Sequence, residues 1–242
     1  MFRILFKYIP WFLRRYLKRV LGIPDVWNNL NRLKENGFDP QIILDIGAFD
    51  GNWTKDCKRI FPHSVYYLIE PQDKLSNVLK KMENDTTIYH NLLFGSEDGI
   101  EVDFYVSGTS SSILRFDTSS PISRKTTRID TFCRNSDIGK IDLLKLDVQG
   151  YELEILKGSK NILNRTNIVV TEVSLIDVYK DCPLVSQIIL YLDSQGFQLY
   201  DIADFRRREL DNSLWQCDMF FIKKDDDLLL DKRKDHKQQR PR

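Results

Sequence analysis

Apolar positions fall in short runs separated by longer amphipathic stretches, which is how buried strands alternate with helices. Ile42-Ile43-Leu44-Asp45-Ile46 is one such run, and it leads straight into Gly47-Ala48-Phe49-Asp50-Gly51. It predicts a buried parallel strand over 42–46, a glycine-bearing turn, and a helix over 53–60 that stops at Pro62. Upstream, residues 25–37 predict a helix, with Asp25 as N-cap and Gly37 as its stop. Downstream, Val65 to Ile69 reads as a second buried strand ending at Glu70-Pro71, followed by a polar-faced helix over 72–83 and a third strand over 86–90.

The alternation then breaks. Asp98-Gly99 is a turn, 100–107 alternates like an antiparallel strand, 107–112 is a small-residue loop, and 128–132 predicts a further short strand. Regular order returns with a strand over 141–147, a helix over 151–163, a strand over 168–173, and a helix over 183–195 stopped by Gly196. Residues 197–202 and 218–223 predict a closing antiparallel pair. The pattern is that of an α/β chain: a doubly wound, mostly parallel sheet with helices on both faces and a C-terminal antiparallel hairpin. Right-handed crossovers place Asp45, Glu70, Asp147 and Glu172 on one rim of that sheet.

Length and charge narrow the picture. The 242 residues suit one domain with a large core, and a net charge of +1 gives no global field for nucleic acid. Cys57, Cys133, Cys182 and Cys217 lie far apart with no C-x-x-C, which suggests neither a zinc site nor a disulfide framework and points to a reducing cytoplasm. Residues 1–21 differ from the rest. Arg3, Lys7, Arg14, Arg15, Lys18 and Arg19 are interleaved with aromatic and aliphatic residues, and no acid is among them. No apolar run there is long enough to span a bilayer, and no small-residue cleavage site follows one. Such a segment fits an anionic membrane surface, at the inner face in a cytoplasmic protein, and fits equally a helix packed on the domain. The expected organisation is a basic segment over 1–24, one domain over 25–224, and a charged, disordered tail over 225–242.

The candidate chemistry begins at the first turn. Its D-x-G-x-x-x-G spacing is neither a Walker A loop nor the full G-x-G-x-x-G of dinucleotide sites. It suits a nucleoside ligand without a pyrophosphate, of which S-adenosyl-L-methionine is the common one. Gly47 admits positive φ and a close ligand, Asp45 can fix the turn, and Ala48, Gly51 and Trp53 follow it. Glu70, with Pro71 behind it, stands where a carboxylate accepts both hydroxyls of a ribose. Asp147 ends a later strand between cofactor and acceptor, and Glu172 ends the next. Glu152 lies in a first helical turn, where the dipole favours an acid that points to solvent. His90 ends the third strand, as a second candidate base or a core imidazole. Asp147 and Glu172 are oxygen donors of the kind Mg²⁺ accepts, but no residue set demands a metal.

Taken together, Asp45-Ile46-Gly47-Ala48, Glu70-Pro71, Arg128-Ile129-Asp130, the run Lys145-Leu146-Asp147-Val148-Gln149-Gly150-Tyr151-Glu152, Leu156-Lys157-Gly158 and Thr171-Glu172-Val173-Ser174 resemble the FkbM family of methyltransferases over residues 40–223. The resemblance implies a Rossmann-like fold, S-adenosylmethionine as cofactor, and O-methylation of a sugar, glycan or small metabolite. Two positions depart from the family pattern: Phe49 stands where Asn is frequent, and Gln149 where Glu is. Gln149 cannot accept a proton, so the general-base expectation falls on Asp147, with Glu172 and Ser174 lining the acceptor pocket. Two other readings share the first turn: a nicotinamide-dependent oxidoreductase, and a non-catalytic scaffold that keeps the fold. A DNA-base methyltransferase is disfavoured, since no N-P-P-[YFW] run and no basic stripe occur in the core.

Overall fold

The computed structural model describes residues 20–106, 112, 113, 121–177 and 181–229, together with Leu13, Leu17 and Lys18. The first helix, α1 (Val26–Glu35), starts where Asp25 accepts hydrogen bonds from the amides of Trp27 and Asn28, and it turns Val26, Leu30 and Leu33 inward. β1 (Ile42–Ile46) is followed by α2 (Asn52–Ile60), β2 (Val65–Ile69), α3 (Asp73–Lys80) and β3 (Thr87–His90). The irregular middle holds β4 (Leu93–Phe94), β5 (Glu101–Phe104), β6 (Ile122–Thr127) and α4 (Ile129–Asn135). Then come β7 (Ile141–Leu146), α5 (Glu152–Lys157), α6 (Lys160–Leu163), β8 (Thr166–Ser174), α7 (Val185–Ser194), β9 (Phe197–Arg207) and β10 (Leu214–Lys223).

Among the described residues, seven strands form one sheet in the order β3-β2-β1-β7-β8-β10-β9. β1, β2, β3, β7 and β8 are parallel, whereas β10 runs antiparallel between β8 and β9. One face of the sheet presents Leu44, Leu144, Leu146 and Val169 to residues of α4, α5, α6 and α7. The other presents Ile43, Leu68, Leu143 and Ile168 to residues of α1, α2 and α3. The expected doubly wound, mostly parallel sheet with its C-terminal antiparallel hairpin is therefore the fold. A second, three-stranded sheet of order β4-β6-β5 lies outside it. Arg124 on β6 ties this sheet to the main one, donating to the Pro71 carbonyl at 2.9 Å and pairing with Asp73 at 2.6 Å.

Three local expectations fail. Residues 128–132 are not a strand: Ile129, Asp130, Phe132 and Cys133 are all buried, the spacing of a helix face, and Asp130 accepts hydrogen bonds from the amides of Asn161 and Ile162 at the start of α6. The strand of this region is β6, just before it. The helix expected over 151–163 is two, α5 and α6, divided at Gly158. A Cβ at Gly158 would overlap the Gly95 carbonyl, so the chain turns where β4 crosses it. Finally, the domain does not stop at Lys224: Asp227–Leu229 form a 3₁₀ turn, and Leu228 and Leu229 pack on the α1 side of the core.

The basic N-terminal segment falls mostly outside the described residues. Its described end meets the domain through Lys18, which pairs with Asp25 and Asp204, while Val20 and Leu21 stay exposed. No helix of the described residues is long and apolar enough to cross a membrane.

Candidate active site

β1 ends in a turn built by crossing another loop. Gly47 has φ 75°, and a Cβ there would overlap the carbonyl oxygen of Asp147. Only glycine tolerates both conditions. The amides of Gly47 and Ala48 donate to the Ile69 carbonyl at 3.0 and 3.1 Å, which locks the turn to the end of β2. Glu70 follows at once and is buried. One of its oxygens accepts the Phe49 amide at 2.9 Å and the other the Gln72 amide at 3.0 Å. Burial pushes its pKa up, while those two amides pull it back. The Gln72 side chain donates to the carboxylate as well, and of its four lone-pair sites one remains for a ligand hydroxyl.

On the other side of the Gly47 crossing lies an acidic array. Asp147 follows β7, and Gln149, held at φ 58°, sends its side-chain amide back between two carboxylates. It donates to Asp147 Oδ1 at 2.8 Å and to Glu172 Oε2 at 2.9 Å. Gln216 Nε2 also donates to Glu172 Oε2 at 2.9 Å, and the Arg206 guanidinium pairs with the other oxygen of Glu172. Burial and the nearby Asp147 push the Glu172 pKa up, against the pull of Arg206. Below the array, buried Lys145 pairs with Asp45 at 3.0 Å and donates to the Gly47 carbonyl at 2.9 Å. Burial would pull its pKa down, but Asp45 and Asp147 together raise it.

Turn and array open into one cleft of about 430 Å³. Gly47, Ala48, Phe49, Trp53, Glu70 and Pro71 line one end, and Asp147, Gln149, Glu172, Arg206, Trp215 and Gln216 the other. That volume, with apolar walls and a few converging polar groups, is what a ligand site of drug-like size requires.

Residues 45–199 match the model of the methyltransferase FkbM domain. The chain belongs to the FkbM methyltransferase family. A relative, the 2-O-methyltransferase NoeI of Sinorhizobium fredii (strain NBRC 101917 / NGR234), is 27% identical over 164 residues, covering 59% of this chain and 66% of its own length. The chain thus spans just under two thirds of that relative. The crystal structure of magnesium protoporphyrin IX methyltransferase from Synechocystis PCC 6803, with bound SAM, shares the fold with a TM-score of 0.51 at 10% identity, covering 82% of this chain and 76% of that one. The crystal structure of methyltransferase FkbM from Methylobacillus flagellatus KT aligns with a TM-score of 0.49 at 20% identity, covering 75% of this chain and 43% of that one.

Not every expected site residue of this family member reaches the cleft. Asp45 is fully buried beneath it, held by Lys145 and by the Thr54 hydroxyl at 2.7 Å. Gly51 faces away, and a Cβ there would overlap Met82 at the foot of α3. His90 is a half-buried imidazole packed on the core: its ring stacks on Tyr67 and meets Phe132 edge-on at 4.9 Å, and burial lowers its pKa. Glu152 does not point to solvent. It is 4% exposed and accepts hydrogen bonds from the amides of Val148 and Gly150, closing the turn after Asp147. The array also includes residues the sequence reading overlooked. Lys145 carries a signal in the sequence, a cation inside a buried strand. Arg206, Trp215 and Gln216 carried none, because the closing strands are longer than their patterns.

Proposed function

We propose that this chain transfers the methyl group of S-adenosyl-L-methionine to a hydroxyl on a sugar, free or within a glycan, or on a small metabolite. The observation that carries the reading is the single cleft shared by the Glu70-held turn and the Asp147–Glu172 array. Its residues fit the cofactor. Gly47 and Ala48 line the cleft beside the Glu70 carboxylate, which keeps acceptor capacity for a ribose hydroxyl, and Trp53 and Pro71 offer apolar walls. When bound, the cofactor supplies an activated methyl group on sulfur. The chain's own residues then align and deprotonate. Asp147 takes the hydroxyl proton as the new C–O bond forms and the S–C bond breaks. Gln149 and Arg206 hold Asp147 and Glu172 in place. Alignment of the reacting pair is worth on the order of 7–11 kcal/mol, and a positioned base ~10²–10⁴-fold. The likeness to NoeI, a 2-O-methyltransferase, supports a hydroxyl acceptor.

We also infer a cytoplasmic setting with peripheral contact to an anionic membrane through residues 1–21, supported by the free, buried cysteines and by the exposure of Val20 and Leu21. The cofactor assignment is tested by calorimetry. S-adenosylhomocysteine should saturate the protein and NAD should not. Glu70→Ala removes a charged acceptor from the diol and should weaken S-adenosylhomocysteine by about 30-fold or more, roughly 2 kcal/mol. Saturation by NAD instead, or equal affinity in the two proteins, would overturn the assignment.

A further inference from the structure

β10 pairs with β9 out of step at three points, the first of them between Leu214 and Gln216. Leu214 faces Arg207 and Gln216 faces Arg206, so Trp215 is an extra residue on the β10 side. A bulge of this kind re-aims a side chain, and bulges concentrate beside active sites. In a regular strand Trp215 and Gln216 would point to opposite faces. Here both line the cleft. The Leu175 amide donates to the Trp215 carbonyl at 2.8 Å, which pins the bulge against the end of β8.

The neighbourhood of the indole is specific. Gln216 and Arg206, its partners in the bulge, both engage Glu172, and Gln149 links Glu172 to Asp147. Trp215 is only partly buried and lines the cleft together with Gln216, Arg206 and Glu172. A flat aromatic face flanked by carboxylates, a guanidinium and amides is complementary to a pyranose. The ring's C–H bonds pack on the electron-rich indole face, while its hydroxyls meet the charged groups at the rim.

We propose that Trp215 is the platform on which a pyranose acceptor stacks, and that it selects the methylated position by setting one hydroxyl against Asp147. The inference rests on the methyl-transfer reading above and adds the residue that chooses the acceptor. It is tested on the full chain saturated with S-adenosylhomocysteine, using methyl pyranosides of the gluco, galacto and manno series as probes. Binding is followed by saturation-transfer NMR, and S-adenosylhomocysteine affinity by calorimetry. At least one pyranoside should bind the wild type. Trp215→Ala should weaken it about 10-fold, and Trp215→Phe should restore most of that loss, because a ring face is what matters. Affinity for S-adenosylhomocysteine should stay unchanged in both variants. Undiminished pyranoside binding by Trp215→Ala overturns the platform. So does the failure of every pyranoside to bind a protein that still takes S-adenosylhomocysteine. Loss of S-adenosylhomocysteine binding in both variants assigns Trp215 a structural role and equally overturns it. A wild type that does not bind S-adenosylhomocysteine overturns the methyl-transfer reading itself.

Discussion

Asp147 is the residue on which the proposed chemistry turns. Its carboxylate is partly open to the cleft, whereas Glu172 is buried and already engaged by Arg206, Gln149 and Gln216. Three donors already hold the Glu172 carboxylate, and in the proposed reading it holds the array. Asp147 has one oxygen on Gln149 and the other 3.9 Å from Lys145, which leaves it room to meet a substrate hydroxyl. Asp147→Asn should therefore keep S-adenosylhomocysteine affinity while lowering methyl transfer to a bound pyranoside by ~10²-fold or more. Transfer that survives this change but is abolished by Glu172→Gln would exchange the two roles. Gln149 also acquires a meaning that its type alone did not give. An amide there cannot take a proton, but it can donate to two carboxylates at once and so relieve their mutual repulsion. The side chain that kept the scaffold reading open is a positioning residue of the array.

At the scale of elements, legibility followed the local pattern. β1, β2, β7 and β8 are buried on both faces and flanked by Gly, Pro or acids, so their apolar runs stood out, and with them Glu70 and Asp147 at their ends. The irregular middle did not yield. α4 turns Asp130 inward beside Ile129, Phe132 and Cys133 to meet the start of α6, a long-range contact that no local pattern contains. Arg206 and Trp215 depend on a bulge between two strands, which is likewise set by pairing. The β7–α5 connection shows the same limit at Glu152, where burial pushes the pKa up to about 7 against the pull of its own turn amides. The folded state thus holds this proton to higher pH than the unfolded chain does. The contribution to stability is present below an ordinary Glu pKa and is lost as pH rises through about 7. The span is on the order of 3 kcal/mol for a carboxyl moved by this much. Urea unfolding at pH 5 and pH 8 should show the wild type losing stability over that interval and Glu152→Gln losing less. Equal losses would mean that Glu152 is ionised in the fold throughout.

For the whole molecule, the open question is how the domain meets its surroundings. Lys18 is drawn onto the domain by Asp25 and Asp204, and its own pKa, though lowered by burial, is raised overall by those acids. One cation of the basic segment is therefore committed to holding its end against α1 and β9. The others, Arg3, Lys7, Arg14, Arg15 and Arg19, come with aromatic neighbours and no acid over residues 1–21. Val20 and Leu21, next to the anchor, are 64% and 63% exposed. A helix that only packed on the domain would turn such residues inward. A helix that also meets lipid leaves them out, with each cation near an anionic surface contributing about 1 kcal/mol before screening. The full chain should therefore sediment with vesicles containing phosphatidylserine at low salt and be released as salt rises past the point where the screening length falls below about 10 Å. A chain lacking residues 1–17 keeps Lys18 and its two acids, and it should stay in the supernatant with neutral and anionic vesicles alike. If the full chain also stays there at low salt, the segment serves only to pack on the domain. Binding that persists at high salt would show that burial of apolar side chains, not charge, holds the protein at the surface.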